Sequence, residues 1–292
     1  MKISIANAPV SWGIMEIGAR RRPDPKVFLN ELAQAGYTGT ELGPYGYLPT
    51  DSEELRKELN DRSLTMVSAF VPVALKEEEA DLLPMRMVAH ALREAGAEFI
   101  ILSDAIWPER DDVAGRAQES GVAFSEADWE MARVNLLRAL GDAARYGLRC
   151  VFHHHAGTYI ETPEEVERLL DLAPVGLCLD TGHYAYGGGD PVEAVRKYGK
   201  RIEHLHLKDV SKKGLAAARK NKLTFFDAVE EGVFCPLGQG LVRFPEFFRE
   251  LESMGYEGWA VVEQDIAAGP DKEDEPLRSA IASREYLRRF GI

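Results

Sequence analysis

Short runs of β-branched and aromatic residues alternate with longer segments whose apolar positions recur every three or four residues, and the alternation continues to the end of the chain. It predicts eight strands, near residues 2–7 (KISIAN), 38–42 (TGTEL), 64–70 (LTMVSAF), 98–104 (EFIILSD), 149–155 (RCVFHHH), 175–180 (VGLCLD), 202–208 (IEHLHLK) and 258–263 (GWAVVE). Three of the intervening helices have recognisable starts: Thr162-Pro163 with Glu165, Asp190-Pro191 with Glu193, and Thr50 with Glu53. Gly36, Gly96, Gly147 and Gly255 each stand between a helical stretch and the next strand, where a left-handed residue ends a helix. The likeness of "AQAGYTGTEL" to "ESMGYEGWAVVE" is a faint repeat of one helix–glycine–strand unit.

Eight βα units in one uninterrupted chain predict an α/β fold, a (β/α)₈ TIM barrel forming a single domain over residues 1–292. The rival, a doubly wound open sheet, lacks the GxGxxG or P-loop expected after its first strand. Two connections, 105–125 and 209–240, are too long to be simple turns. Both leave the C-terminal ends of strands, where barrel enzymes keep their sites, and long loops there commonly act as lids or binding segments.

Alternate side chains of a strand point to opposite faces. In "RCVFHHH" this pairs His153 with His155 facing the barrel mouth and sends His154 with Phe152 toward the helices. In "GLCLD" it turns Leu177 and Leu179 outward and Asp180 inward; in "IEHLHLKD" it turns His204, His206 and Lys208 inward. Glu263 shares a face with Trp259 and Val261, and Glu41 with Gly39. Six of the seven histidines thus fall between 153 and 206, at the C-terminal ends of three consecutive strands, with carboxylates from strands two, six and eight converging on them. A cation among such carboxylates relieves the cost of burying unpaired like charges. Asp180, His206 and Glu263 are the expected ligands, and imidazole with carboxylate suits Mn²⁺, Co²⁺, Zn²⁺, Fe²⁺ or Mg²⁺. Glu41 reads equally as a support for the ligands, a substrate-binding group or a fourth ligand. Trp12 reads equally as core or as a wall for a sugar ring. Asp209, of opposite parity to Lys208, reads as a cap or loop anchor, and His90 as structural.

Composition narrows the partners. With 45% hydrophobic and 28% charged residues, and without low-complexity tracts, the chain can build one large core. The net charge of −13 disfavours nucleic acid as a partner. No apolar run reaches the roughly 18 residues of a membrane span, and "MKISIANAPV" enters a strand without the features of a signal peptide, so the expected location is cytoplasmic. Cys150, Cys178 and Cys235 have no CxxC spacing and read as small buried hydrophobes.

"CLDTGH", "HLHLKD" and "GYEGWAVVEQD", in that order, resemble the xylose isomerase-like barrel superfamily of sugar isomerases, epimerases and dehydratases. "NAPVSWG", "FHHHAGTYIET" and "FFDAVEEGVFCPLGQG" are most similar to its inosose dehydratases, which remove water from 2-keto-myo-inositol. The superfamily's usual metal set is a glutamate, an aspartate, a histidine and a glutamate on strands five to eight. Asp180, His206 and Glu263 match it by type, whereas His153 stands in the glutamate slot. That departure tells against a mechanism that shuttles protons between a pair of glutamates.

The resemblance further implies that His155 and His183 meet substrate, and that the protein forms a dimer or tetramer. The expectation is therefore a metal-dependent hydro-lyase acting on a sugar or cyclitol ketone, through α-proton abstraction, a metal-stabilised enolate and loss of water. A keto-sugar isomerase or epimerase is the alternative. Proton transfer falls to His155, His183, Lys208 or Glu263. Substrate binding falls to Trp12, Glu41, His155 and His183.

Overall fold

The computed structural model describes residues 2–15, 23–267 and 274–292. Eight parallel strands form the barrel: Lys2–Asn7, Gly39–Glu41, a third strand in two pieces (Thr65–Ser68 and Phe70–Val73), Phe99–Asp104, Arg149–His153, Gly176–Asp180, Ile202–Leu207 and Glu257–Val262. The first strand pairs with the eighth as well as with the second. Closure occurs within strand three, whose first piece pairs with strand two and whose second piece pairs with strand four. Sequence periodicity ends this strand at residue 70; it runs to Val73 because the chain changes partner around Ala69 and then continues along strand four.

The expected helix signals are largely present. Thr162 and Glu165 form a reciprocal capping box, and Asp190 accepts the Val192 N–H. Gly36, Gly96, Gly147 and Gly255 all have left-handed φ of 72–88°. One expectation needs correction. Asp51, not Thr50, caps the helix Ser52–Asn60, its carboxylate accepting from Glu53 and Glu54 N–H at 3.1 and 2.9 Å. A charged acceptor suits the electropositive end of a helix better than a hydroxyl.

Strand parity sorts the core into two regions. Phe152, Leu177, Leu179, Leu205 and Leu207 face outward into the layer between barrel and helices. Phe99, Ile101, Val151 and Cys178 face inward. On strand seven the inward positions His204, His206 and Lys208 climb toward the mouth at roughly 6–7 Å per step.

The two long connections carry short helices, including Pro108–Asp111, Lys212–Asn221 and Phe225–Glu230, and a hairpin pairs Asp209–Val210 with Phe234–Cys235. They pack together in a separate cluster that includes Ala114, Tyr186, Phe225 and Phe234. The Phe225 N–H donates to Asp111 at 2.7 Å, joining one connection to the other. Buried Arg110 is held by both oxygens of Glu165, at 2.8 and 3.0 Å. Asp209 serves as the loop anchor, accepting the N–H groups of Gly238, Gly240 and Val242 at 2.9–3.0 Å. Among the described residues, no helix is long and apolar enough to cross a membrane.

Candidate active site

His153 ends strand five, Asp180 ends strand six, His206 lies one residue short of the end of strand seven, and Glu263 follows strand eight. Register brings them level: Asp180 is the direct neighbour of His206, and His206 that of Val261, two residues before Glu263. All four side chains are buried, and one nitrogen or oxygen from each lies within 4.8 Å of the others. His153 Nε2 is 3.4 Å from Asp180 Oδ2. His206 Nδ1 is 3.2 Å from Glu263 Oε2 and 3.9 Å from Asp180 Oδ2, yet has no hydrogen-bond partner. A buried imidazole nitrogen left without a hydrogen-bond partner beside two carboxylates, with a fourth donor residue close by, is what a cation would complete, and the site fits a divalent metal on that ground.

The opposite nitrogen of His206 explains Glu41. His206 Nε2 stands 3.0 Å from Glu41 Oε1, which also accepts the Ser68 hydroxyl at 2.8 Å. A carboxylate behind a ligating imidazole fixes its tautomer and raises its basicity. Among the three roles open to Glu41, the geometry favours support of His206. Its carboxylate is outside the four-ligand group, although the residue also lines the floor of the cleft.

Electrostatics make this a concentrated site. Burial pushes the Asp180 carboxyl upward, but the Lys208 ammonium and His153 outweigh it and hold the group below the usual carboxylate range. Burial raises Glu263 likewise, and His206 and Lys208 bring it down. Burial lowers Lys208, yet Asp265, Asp180 and Glu263 together raise it above an ordinary lysine, so it is cationic. Burial drives His155 and His183 well below the usual imidazole value, and both are neutral at pH 7.

These groups touch one another. Lys208 Nζ is 2.8 Å from Asp265 Oδ1, 3.1 Å from Glu263 Oε2 and 3.0 Å from His183 Nε2. Gly182, in the DTGH turn, lets the lysine stem pass: a Cβ there would be 2.5 Å from Lys208 Cγ. The rings of His155 and His183 are 3.9 Å apart at their centroids. His155 Nδ1 is 2.7 Å from the Ala156 carbonyl, which can only accept, so Nδ1 bears the proton and Nε2 remains an open acceptor. Strand five stops at His153, and His155 reaches the mouth from the following loop rather than from the strand.

Other expectations resolve differently. Trp12 is not a wall of the cleft: its indole packs edge-on against Phe28 at 4.9 Å and donates to Glu31 at 2.6 Å, because the turn after strand one folds it beneath the first helix. His154 lies in the barrel wall, accepting the Asp180 N–H at 3.3 Å and packing against Tyr184. His90 is exposed on its helix. Sequence reasoning missed Asp265, although it shares parity with Glu263 in "VVEQD" and would have been found by carrying the alternation one step beyond the strand. Burial raises its pKa to about 6, and its Oδ2 has no hydrogen-bond partner. Together with His153, His155, His183, Lys208 and Glu263 it lines a cleft enclosing about 430 Å³.

Comparison with known proteins agrees with this architecture. The chain is 36% identical over 295 residues to the rhizopine catabolism protein MocC of Rhizobium meliloti, covering 99% of this chain and 89% of that protein. It is 33% identical over 302 residues to inosose dehydratase of Geobacillus thermodenitrificans, covering 98% and 97%. Among solved structures, the IolI protein with a bound zinc atom superposes with a TM-score of 0.70 at 13% identity, covering 98% of this chain and 96% of that one. The Escherichia coli 3-keto-D-glucoside 4-epimerase YcjR does so with a TM-score of 0.69 at 18% identity, covering 99% and 100%. The family model described as "Xylose isomerase-like TIM barrel" matches residues 29–290, and the chain belongs to that family.

Proposed function

We propose that this protein is a dehydratase of a cyclic keto-polyol, with 2-keto-myo-inositol as substrate. The observation that carries the reading is the convergence of His153, Asp180, His206 and Glu263 beside a cationic lysine and two neutral histidines. Full-length relatives named inosose dehydratase, at 30–34% identity, support it. A divalent cation held by those four residues would supply Lewis-acid polarisation of the substrate ketone, and Mn²⁺, Co²⁺, Zn²⁺, Fe²⁺ and Mg²⁺ all suit the donor set.

Loss of water from a β-hydroxy ketone needs a proton taken from the α-carbon and a proton given to the departing hydroxyl. His155 Nε2 is an unprotonated nitrogen facing the cleft and can take the first. The Lys208 ammonium can give the second, and Asp265 and Glu263 hold it in position. His183 Nε2 accepts from the Lys208 ammonium and helps to fix where it points. Each proton transfer contributes typically 10²–10⁴-fold.

The test is incubation of metal-reconstituted protein with 2-keto-myo-inositol while the ultraviolet absorbance of the unsaturated or diketone product is followed. Absorbance growth at stoichiometric metal supports the proposal. No growth with any of the five metals, together with epimerisation of a ketohexose, would replace it with the isomerase or epimerase reading.

A further inference from the structure

We propose that Cys178, His204 and His206 form a second cation site, one strand step beneath the first and sharing His206 with it, which takes thiophilic ions such as Zn²⁺ and Cd²⁺ and refuses Mg²⁺ and Mn²⁺. Metal binding there is independent of the keto-polyol reading. Cys178 and His204 are direct register partners on strands six and seven, and Asp180 and His206 are the next inward pair above them. Inward parity therefore stacks two layers of donors along the barrel axis. One donor atom from each of Cys178, His204 and His206 lies within 4.8 Å of the others, and all three side chains are withdrawn from water. Two of these residues are absent from the upper group, and one of the two brings sulfur.

His204 is incompletely satisfied. Its Nε2 lies 3.4 Å from Ser68 Oγ and 3.8 Å from Glu41 Oε1, whereas its Nδ1 is buried with no hydrogen-bond partner. A buried ring nitrogen left in that state costs stability unless something completes it. A tetrahedral zinc ion, with bonds of about 2.0–2.3 Å, sets its donors roughly 3.3–3.8 Å apart, so donors already within 4.8 Å close on it with shifts of about 1 Å. Glu41 Oε1, 3.0 Å from His206 Nε2, stands beside both rings and offers a fourth donor. Glu41 also lines the cleft, so a chain of donors leads down from the mouth. The composition of the set selects the ion. Thiolate with imidazole suits Zn²⁺ and its heavier congener Cd²⁺, whereas Mg²⁺ and Mn²⁺ favour oxygen. On binding, the Cys178 S–H bond breaks, sulfur gives its electron pair to the metal and the proton leaves to solvent. Because His206 serves both layers, a thiophilic ion below withdraws a ligand from a hard ion above.

The experiment titrates the full-chain apoprotein with Cd²⁺, without substrate, and follows the ultraviolet thiolate-to-cadmium charge-transfer band. Wild type should develop the band, and neither Mg²⁺ nor Mn²⁺ should reduce it. Cys178→Ala should lose the band while its Mn²⁺ content, set by the intact upper donors, stays at the wild-type level. Cys150→Ser and Cys235→Ser, which alter the other two free cysteines, should keep it. His204→Gln should move the titration to higher Cd²⁺ concentration. The inference is overturned if wild type raises no band, if the band survives Cys178→Ala, or if His204→Gln leaves the titration unchanged. Wild type alone can return the first of these results, so the test stands even where a buried substitution fails to fold. Failure of the dehydratase reading looks different: 2-keto-myo-inositol is not turned over, while the cadmium band behaves as before.

Discussion

The two ends of the barrel both carry charge and both open into clefts, yet they solve opposite problems. At the N-terminal end, Arg149, Glu98, Glu203, Trp259 and their neighbours line the larger space, about 740 Å³ against 430 Å³ at the cleft lined by His153, His155, Lys208 and Glu263. There the charges satisfy one another: Arg149 bonds Glu98 at 2.7 Å and Glu203 at 2.6 Å, and its side chain is 53% exposed. At the C-terminal end, Asp180, His206, Lys208 and Glu263 are almost completely withdrawn from water, and His153 Nδ1, His206 Nδ1 and Asp265 Oδ2 have no hydrogen-bond partner. Size therefore does not distinguish the functional cleft. Unsatisfied buried polar atoms that converge on one cleft do, because a ligand there would complete them together.

Substitutions should separate the two ends, beginning with the largest effect. Asp180→Ala should lower turnover of 2-keto-myo-inositol by at least about 10³-fold and strip the bound metal, with an unchanged circular dichroism spectrum. Elemental analysis beside wild type reads the second effect directly, and full metal retention would remove Asp180 from the ligand set. His155→Gln should cost about 10²–10⁴-fold in kcat while metal content stays at the wild-type level. That combination separates proton transfer from metal binding within the same cleft.

Glu41→Gln should cost a smaller factor, about 10–100-fold in metal affinity or activity, since it removes the charge behind His206 and not a ligand. Titration of apoprotein with Zn²⁺ or Mn²⁺ measures it.

Weaker still is a pH effect at the loops that frame the mouth. Burial raises Glu161 to about 7, while its oxygens accept the Gly115 and Gly157 N–H groups. Between the unfolded carboxyl pKa near 4 and that raised value, the folded state holds a proton the unfolded state has lost. The stability this group contributes is therefore full at low pH and is lost as pH rises through that window. The thermal midpoint of Glu161→Gln should thus approach that of wild type between pH 5 and pH 8; a widening gap would refute the assignment. The smallest effect belongs to the other end of the barrel. Arg149→Ala breaks exposed ion pairs and a stacking contact with Phe99, and should change stability by about 1 kcal/mol or less and leave kcat/KM unaltered.

Strand alternation and helix punctuation reach far into this molecule. Alternation is a local property of an extended backbone, so Asp180, His206, Glu263 and the outward leucines at 177, 179, 205 and 207 could be sorted before any neighbour was known. Glycines at 36, 96, 147 and 255 end helices for an equally local reason, the φ they alone adopt without strain. The resemblance of short motifs then pointed to a family whose membership the match over residues 29–290 bears out.

Long-range packing decided the remainder. The partner change near Ala69 depends on which strands flank the third one once the barrel closes, and no local pattern records it. Trp12 turned to Phe28 and Glu31 because a helix some twenty residues away covers it. Glu41 settled behind His206 across 165 residues of chain, and Asp265 met Lys208 across 57, distances over which sequence carries no pairing rule. Residue periodicity decides which way a side chain faces; only the folded chain decides what it meets there.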